Sequence, residues 1–143
     1  MDWTKQYRKA VTFSYDDGVL QDKLLAELFN RYGLKCTFNI NTDLGNPQGS
    51  FLIKNKPIHR FSMDELSELY LGHEVASHSL HHYDLTKKSQ PEIIHEIKVD
   101  MDNIAKIFKT RPVGFIYPYG VYNQEIKTII KDLGIHYART VVS

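Results

Sequence analysis

Short β-prone runs alternate with helical periods along this chain, and that alternation constrains the fold more than any other feature. Ala10–Tyr15, Cys36–Ile40, His73–Ser77, Val113–Tyr117 and Tyr137–Val142 read as five strands, each bounded by turn or helix signals. Between the first two, Leu20, Leu24, Leu25, Leu28 and Phe29 recur at helical spacing as one apolar stripe, closed by Gly33. Ser62-Met63-Asp64-Glu65 is a capping box that opens a short helix through Leu66, Leu69 and Tyr70, and Gly72 stops it. Pro91 starts a longer helix carrying Ile94, Ile97, Met101, Ile104 and Phe108. Asn123 caps the last one, through Ile126, Ile129, Ile130 and Leu133, and Gly134 ends it. Strand–helix alternation of this kind predicts an α/β domain with a parallel sheet. Residues 41–61 break the rhythm. They hold Asp43, Gly45, Asn46, Pro47, Gly49 and Pro57 around the patch Phe51-Leu52-Ile53, which predicts a lid or a small hairpin.

Composition narrows the function classes. At 143 residues and 42% hydrophobic, the chain makes one domain with a sizeable core. Its 18 basic and 17 acidic residues form no track that would line a phosphate backbone, so a nucleic-acid partner is not expected. No stretch approaches the roughly 20 apolar residues that span a bilayer, so no membrane partner is expected either. Met1-Asp2-Trp3-Thr4-Lys5 lacks an apolar signal core, which fits a cytoplasmic chain or an exported one trimmed of its signal. The lone cysteine, Cys36, lies in an apolar run and reads as a small buried hydrophobe.

The polar signals fall in register with the strands. Asp16-Asp17-Gly18, His78-Ser79-Leu80-His81-His82 and Pro118-Tyr119-Gly120 each follow a strand end. In parallel α/β folds that rim carries the active site, so three separated segments converge on one place. Of seven histidines, four lie between positions 73 and 82. On one helical turn His78 and His82 would share a face and could grip one ion, with His81 about 100° away. Alone, such a pair is more often solvated or packed, and Asp-Asp-Gly alone is more often a plain turn. Together they supply two imidazoles and a carboxylate with open positions, the donor set of a catalytic metal site. Neighbouring side chains at a strand end diverge, so one carboxylate can ligate while the other faces the water.

These residues resemble the NodB-type polysaccharide deacetylases, carbohydrate esterase family 4. Thr12-Phe13-Ser14-Tyr15-Asp16-Asp17-Gly18 is similar to the family's first motif. His78 to His82, followed by Asp84-Leu85-Thr86, is similar to the second, and Tyr117-Pro118-Tyr119-Gly120 to the third. The resemblance implies an irregular (β/α) barrel, here incomplete, with about five parallel strands and their helices. It implies removal of acetyl groups from an N-acetylated (or O-acetylated) oligo- or polysaccharide. Asp16 would be the general base. Asp17, His78 and His82 would hold a divalent metal, zinc first, with cobalt or nickel possible. The backbone N–H of Tyr119 would stabilise the oxyanion, and Pro118, Tyr119 and Asn39 would line the substrate; Asn41 faces the same rim.

Two departures from the family pattern carry their own expectations. The family's third motif places an arginine to orient the base, where this chain has Ile116; Arg139 and Arg60 are the candidate substitutes. The family's late Leu-x-His, whose histidine acts as general acid, has no counterpart before Ser143, and His136 does not fit it. Residues 1–143 therefore read as one NodB-like domain lacking its C-terminal strands, poor in catalysis, and prone to pair with another copy through an open sheet edge. Trp3, Tyr7 and Phe51 are candidates for an apolar rim, while His95 reads as a surface residue and His73 as a structural one. The alternative from another class is a non-catalytic metal- or sugar-binding module on the same scaffold. A sugar isomerase would require carboxylate-rich ligation, which the histidines argue against.

Overall fold

The structure, a computed structural model, describes residues 9–45 and 49–141. Five strands, β1 (Ser14–Asp16), β2 (Thr37–Ile40), β5 (Glu74–Ser77), β6 (Gly114–Ile116) and β7 (Tyr137–Arg139), form one parallel sheet in the order β1-β2-β5-β6-β7. Between β2 and β5, the strands β3 (Phe51–Ile53) and β4 (Lys56–Ile58) make a separate antiparallel hairpin, so the irregular segment is the small hairpin its patch allowed. Helices α1 (Asp22–Arg31), α2 (Met63–Leu69), α3 (Gln90–Phe108) and α4 (Gln124–Asp132) connect the strands. The sheet curls into a half-barrel with the helices outside it, the incomplete barrel expected. Arg139 on β7 bonds Asp16 on β1, so the two ends of the strand order meet across the inside of the curl.

Alternation along each strand sorts the side chains onto two faces. Phe38 and Ile40 of β2, and Phe115 of β6 with Tyr117 just after it, turn outward into two apolar clusters. Against β6 the cluster is Leu85, Ile93, Ile97, Met101, Ile126, Ile129 and Ile130. Against β2 it is Ala26, Phe29, Cys36, Leu66, Tyr70 and Ile104, with the Phe38 and Tyr70 rings stacked 3.9 Å apart. The inner face carries Asp16, Asn39 and Arg139 beside the apolar Ala76 and Ile116.

Several local expectations shift by a residue or a face. In α1 the buried positions are Asp22, Ala26 and Phe29, whereas Leu24 is 62% exposed and Leu20 lies before the helix. The leucine spacing is helical, but the helix rolls toward Phe38 and Tyr70, where Tyr70 donates to buried Asp22 at 2.5 Å. In α3, Ile93 fills the core and Ile94 is exposed. Besides Pro91, a capping box of Ser89 and Glu92 fixes that helix's start. Cys36 is buried as expected, and burial pushes its thiol up to about 12. His73 packs edge-on against Phe38 and His95 is exposed, both as expected. Trp3 and Tyr7 lie outside the described residues, as does Val142 beyond β7. No helix of the described residues is long and apolar enough to cross a membrane.

Two glycines are required by space. A side chain at Gly114 would enter the Tyr137 ring, whose atoms lie 2.4 Å from where a Cβ would stand. Gly18 adopts φ 62° just after the two aspartates, and a Cβ there would press on Leu66 at 2.9 Å.

Candidate active site

β1 ends at Asp16, and the pleat sends that carboxylate to the inside of the curl. Asp17 leaves the strand in the left-handed region at φ 81°, its N–H donating to the Asn39 carbonyl at 2.9 Å. The neighbouring carboxylates therefore diverge, as expected of a strand end. Asp16 Oδ1 accepts from Asn39 Nδ2 at 2.7 Å and from the Arg139 guanidinium. Asp17 Oδ1 accepts from Arg60 Nη2 at 2.6 Å. Of the two arginines proposed for the base, Arg139 reaches Asp16 and Arg60 reaches Asp17. The sheet register places Arg139 directly beside Ile116, so the guanidinium arrives from the strand next to the family's usual position.

His78 follows β5, with its N–H on the Ile40 carbonyl at 2.9 Å. Its Nδ1 lies 2.9 Å from the Ile116 carbonyl, which can only accept, so Nδ1 carries the hydrogen and Nε2 keeps its lone pair. Burial holds His78 below the ordinary imidazole range, partly opposed by that carbonyl. Burial also lowers His82, with the nearby Asp17 carboxylate opposing. Both rings are thereby kept in the neutral form that can ligate.

The two rings meet, edge to face with centroids 4.6 Å apart, but not on a helical turn. Residues 78–82 form a loop in which Ser79 and His82 take left-handed φ of 63° and 56°. That folds the chain back, so the four-residue spacing works by a different geometry. Asn41 Nδ2 donates to the carbonyls of His78 at 2.5 Å and Ser79 at 2.8 Å, and Glu96 Oε2 accepts from the His81 N–H at 3.0 Å. His81 points away to Glu96 Oε1 at 2.7 Å and Asp43 Oδ2 at 2.8 Å. Partial burial disfavours its charge, yet the two carboxylates outweigh that and hold His81 above its ordinary range.

Three residues expected at the rim are buried. Asn39 is wholly buried and supports Asp16 and Ser14. Asn41 is buried too and braces the histidine loop instead. Pro118 is buried at the start of a 3-10 turn and sets its direction. Tyr119 does face the opening: it is 64% exposed, adopts φ 59°, and lays its ring 4.7 Å from that of His82. Asp16, Asp17, His78, His82, Tyr119 and Arg139 line a cavity of about 190 Å³. A second hollow of about 460 Å³ runs on from Asp17 and His82 to Phe51, His81 and Tyr83.

Asp17, His78 and His82 each offer a ligand atom within 4.8 Å of the others. Two neutral nitrogens and one carboxylate oxygen suit zinc and related divalent ions, and three protein ligands leave positions open. The donor set and the fixed His78 tautomer thus fit such a cation. Sequence spacing pointed to the two histidines and one of the two aspartates, and the resemblance to Asp17; neither revealed the bracing roles of Asn41 and Glu96, which matter only once the loop is folded.

Comparison with known proteins identifies relatives of this chain. The sequence profile described as polysaccharide deacetylase matches residues 4–138. The peptidoglycan-N-acetylglucosamine deacetylase PgdA of Listeria monocytogenes is 26% identical over 120 residues, which cover 82% of this chain and 23% of that protein. Among solved structures, the deacetylase PplD of Streptococcus pyogenes, in complex with acetate, superposes with a TM-score of 0.77 at 21% identity, covering 91% of this chain and 55% of that one. IcaB of Ammonifex degensii gives a TM-score of 0.78 at 16% identity, covering 94% and 61%. The chain spans about a quarter of the length of the curated relative it matches, and little more than half of these structures.

Proposed function

Because the chain belongs to the polysaccharide deacetylase family, we propose that it is a metal-dependent hydrolase removing acetyl groups from an N-acetylated (or O-acetylated) carbohydrate. The observation that carries this reading is the convergence of Asp17, His78 and His82 beside Asp16 on one rim of the sheet. The name of the Listeria relative and the acetate held by the Streptococcus one support an acetylated amino sugar as the substrate class.

Asp17, His78 and His82 would hold the divalent cation, which supplies Lewis acidity toward the acetamide carbonyl and toward water. Asp16 is the general base: its carboxylate takes a proton from the attacking water. Asn39 and Arg139 hold that carboxylate on the inner face through the hydrogen bonds described. Arg139 thereby does from β7 what the family's arginine does from the position of Ile116. The Tyr119 N–H stabilises the negative oxygen that develops as water adds, and the Tyr119 ring closes one side of the cavity. The C–N bond then breaks, acetate leaves, and the amine departs with a proton; in the family a late histidine helps deliver it.

Acetate release from chito-oligosaccharides, measured after chelation and again after adding zinc, tests the reading. Release that depends on zinc is expected. Zinc binding with no acetate release under any divalent metal would instead assign the chain to a binding module on this scaffold.

A further inference from the structure

Arg60 is 43 residues from Asp17 in sequence, yet its guanidinium is built around that one residue. It is 6% exposed. Nη2 donates to Asp17 Oδ1 at 2.6 Å, and Nε donates to the Asp17 backbone carbonyl at 2.8 Å. Nη1 donates to the Gly49 carbonyl at 2.6 Å, and the Phe51 ring covers the guanidinium 4.9 Å away. The segment itself is tied to the turn after Asp17, with the Leu20 N–H on the His59 carbonyl and the Phe61 N–H on the Gly18 carbonyl, both at 2.9 Å.

Those contacts constrain Asp17 twice. Its backbone sits at φ 81°, a strained conformation for a non-glycine residue that persists only when its surroundings impose it. The fork grips carbonyl and carboxylate together, so backbone and side-chain torsions are fixed by one group. It also engages one carboxylate oxygen in a charge-assisted bond, which leaves Oδ2 without a hydrogen-bond partner among the described residues.

We propose that Arg60 is a positioning residue for the cation site: it presents Asp17 as a ligand through a single oxygen. This rests on the metal-dependent reading above. A carboxylate bound through both oxygens would occupy a further coordination position, one that water or the substrate carbonyl needs. The competing effect has the opposite sign. A guanidinium so near a cation repels it, and if repulsion dominated, removing Arg60 would tighten metal binding.

Zinc affinity of the full chain, measured by competition titration on the parent, Arg60→Lys and Arg60→Gln, decides between them. Partners that orient a metal ligand typically contribute 10–100-fold to affinity, and about that weakening is expected in both variants. Lysine keeps the charge but lacks the fork, so it does not rescue. Thermal melts confirm that each variant is folded. Visible spectra of the cobalt-loaded proteins supply the second readout: a change in coordination number is expected in Arg60→Gln. Zinc binding as tight as the parent's in either variant would overturn the proposal. So would weakened binding with an unchanged cobalt spectrum, since a merely structural role predicts that. A parent that binds no zinc would sink the metal reading itself, whereas a zinc-binding parent with indifferent variants sinks only this assignment.

Discussion

The two faces of the curled sheet follow opposite rules. Outward, Phe38, Ile40 and Phe115 are each 0% exposed and pack mainly against apolar helix side chains. Inward, β1, β2 and β7 present Ser14, Asp16, Asn39 and Arg139, which meet one another. The interior of an ordinary (β/α) barrel is filled with bulky apolar layers. Here stability is concentrated on the outer face and chemistry on the inner one, separated by a single residue along each strand. The teaching is that neighbouring positions, such as Phe38 and Asn39, answer to different pressures, and substitutions should separate them.

The largest expected effect tests the inner face. Asp16→Asn should lower acetate release by about 10²–10⁴-fold, the usual range for a lost general base, while unfolding and zinc affinity stay near the parent's. An equal loss of zinc affinity would show that Asp16 is a ligand and merge the two aspartates' roles. The outer face gives the mirror image. Phe38→Ala removes a stacked, fully buried ring and should cost about 3–5 kcal/mol in urea unfolding. A cost below 1 kcal/mol would break the division between faces.

A smaller effect concerns the relocated arginine. Arg139→Met should reduce turnover by about 10–100-fold, from a lost charged hydrogen bond worth about 1.5–3 kcal/mol. The swap Ile116→Arg with Arg139→Ile should recover part of it, because the two positions pair in the register. No recovery with intact folding would mean that the guanidinium must approach from β7.

The smallest effect is a pH slope, and the faces differ in its sign. On the outer side Asp100 is fully buried, accepting from Ser77 and Thr42, and burial pushes its carboxyl up to about 6. The folded state then binds its proton more readily than the unfolded chain. That contribution is fully present below about pH 4 and is lost as pH rises through 6. The inner His78 and His82 are lowered, so their contribution holds above the unfolded histidine range and is lost as pH falls below it. Urea midpoints at several pH values for the parent and Asp100→Asn would isolate the first slope; identical slopes would refute it.

This division also explains what the sequence could say. Strands and helices were legible because each is written in its own neighbours: Leu66 and Leu69 behind a capping box, Ile126 to Ile130 behind Asn123. His78, His82 and the Asp16-Asp17 pair were legible because donor type and strand-end position are both local, while the choice of Asp17 as the ligand came from the family resemblance. The helical placing of His78 and His82 failed because Ser79 and His82 adopt a left-handed backbone that their residue types do not signal. The buried roles of Asn39 and Asn41 and the assignment of the two arginines depend on partners far along the chain, and nothing local encodes them. The roll of α1 away from Leu24 is of the same kind: spacing sets the stripe, but Tyr70 and Phe38 decide which side is covered.

The bond between Asp16 and Arg139 joins residues 123 positions apart. Closing a loop of that size directly costs chain entropy that grows with the logarithm of its length, a cost that falls once the pairings from β1 through β6 to β7 have shortened it. The base can therefore acquire its guanidinium only after the intervening strands have ordered. The central strands and their helices can assemble earlier, from contacts of shorter range. A refolding chain should accordingly regain its helical signal before it regains turnover, with the last strand's arrival marking the moment at which a folded protein becomes a competent one.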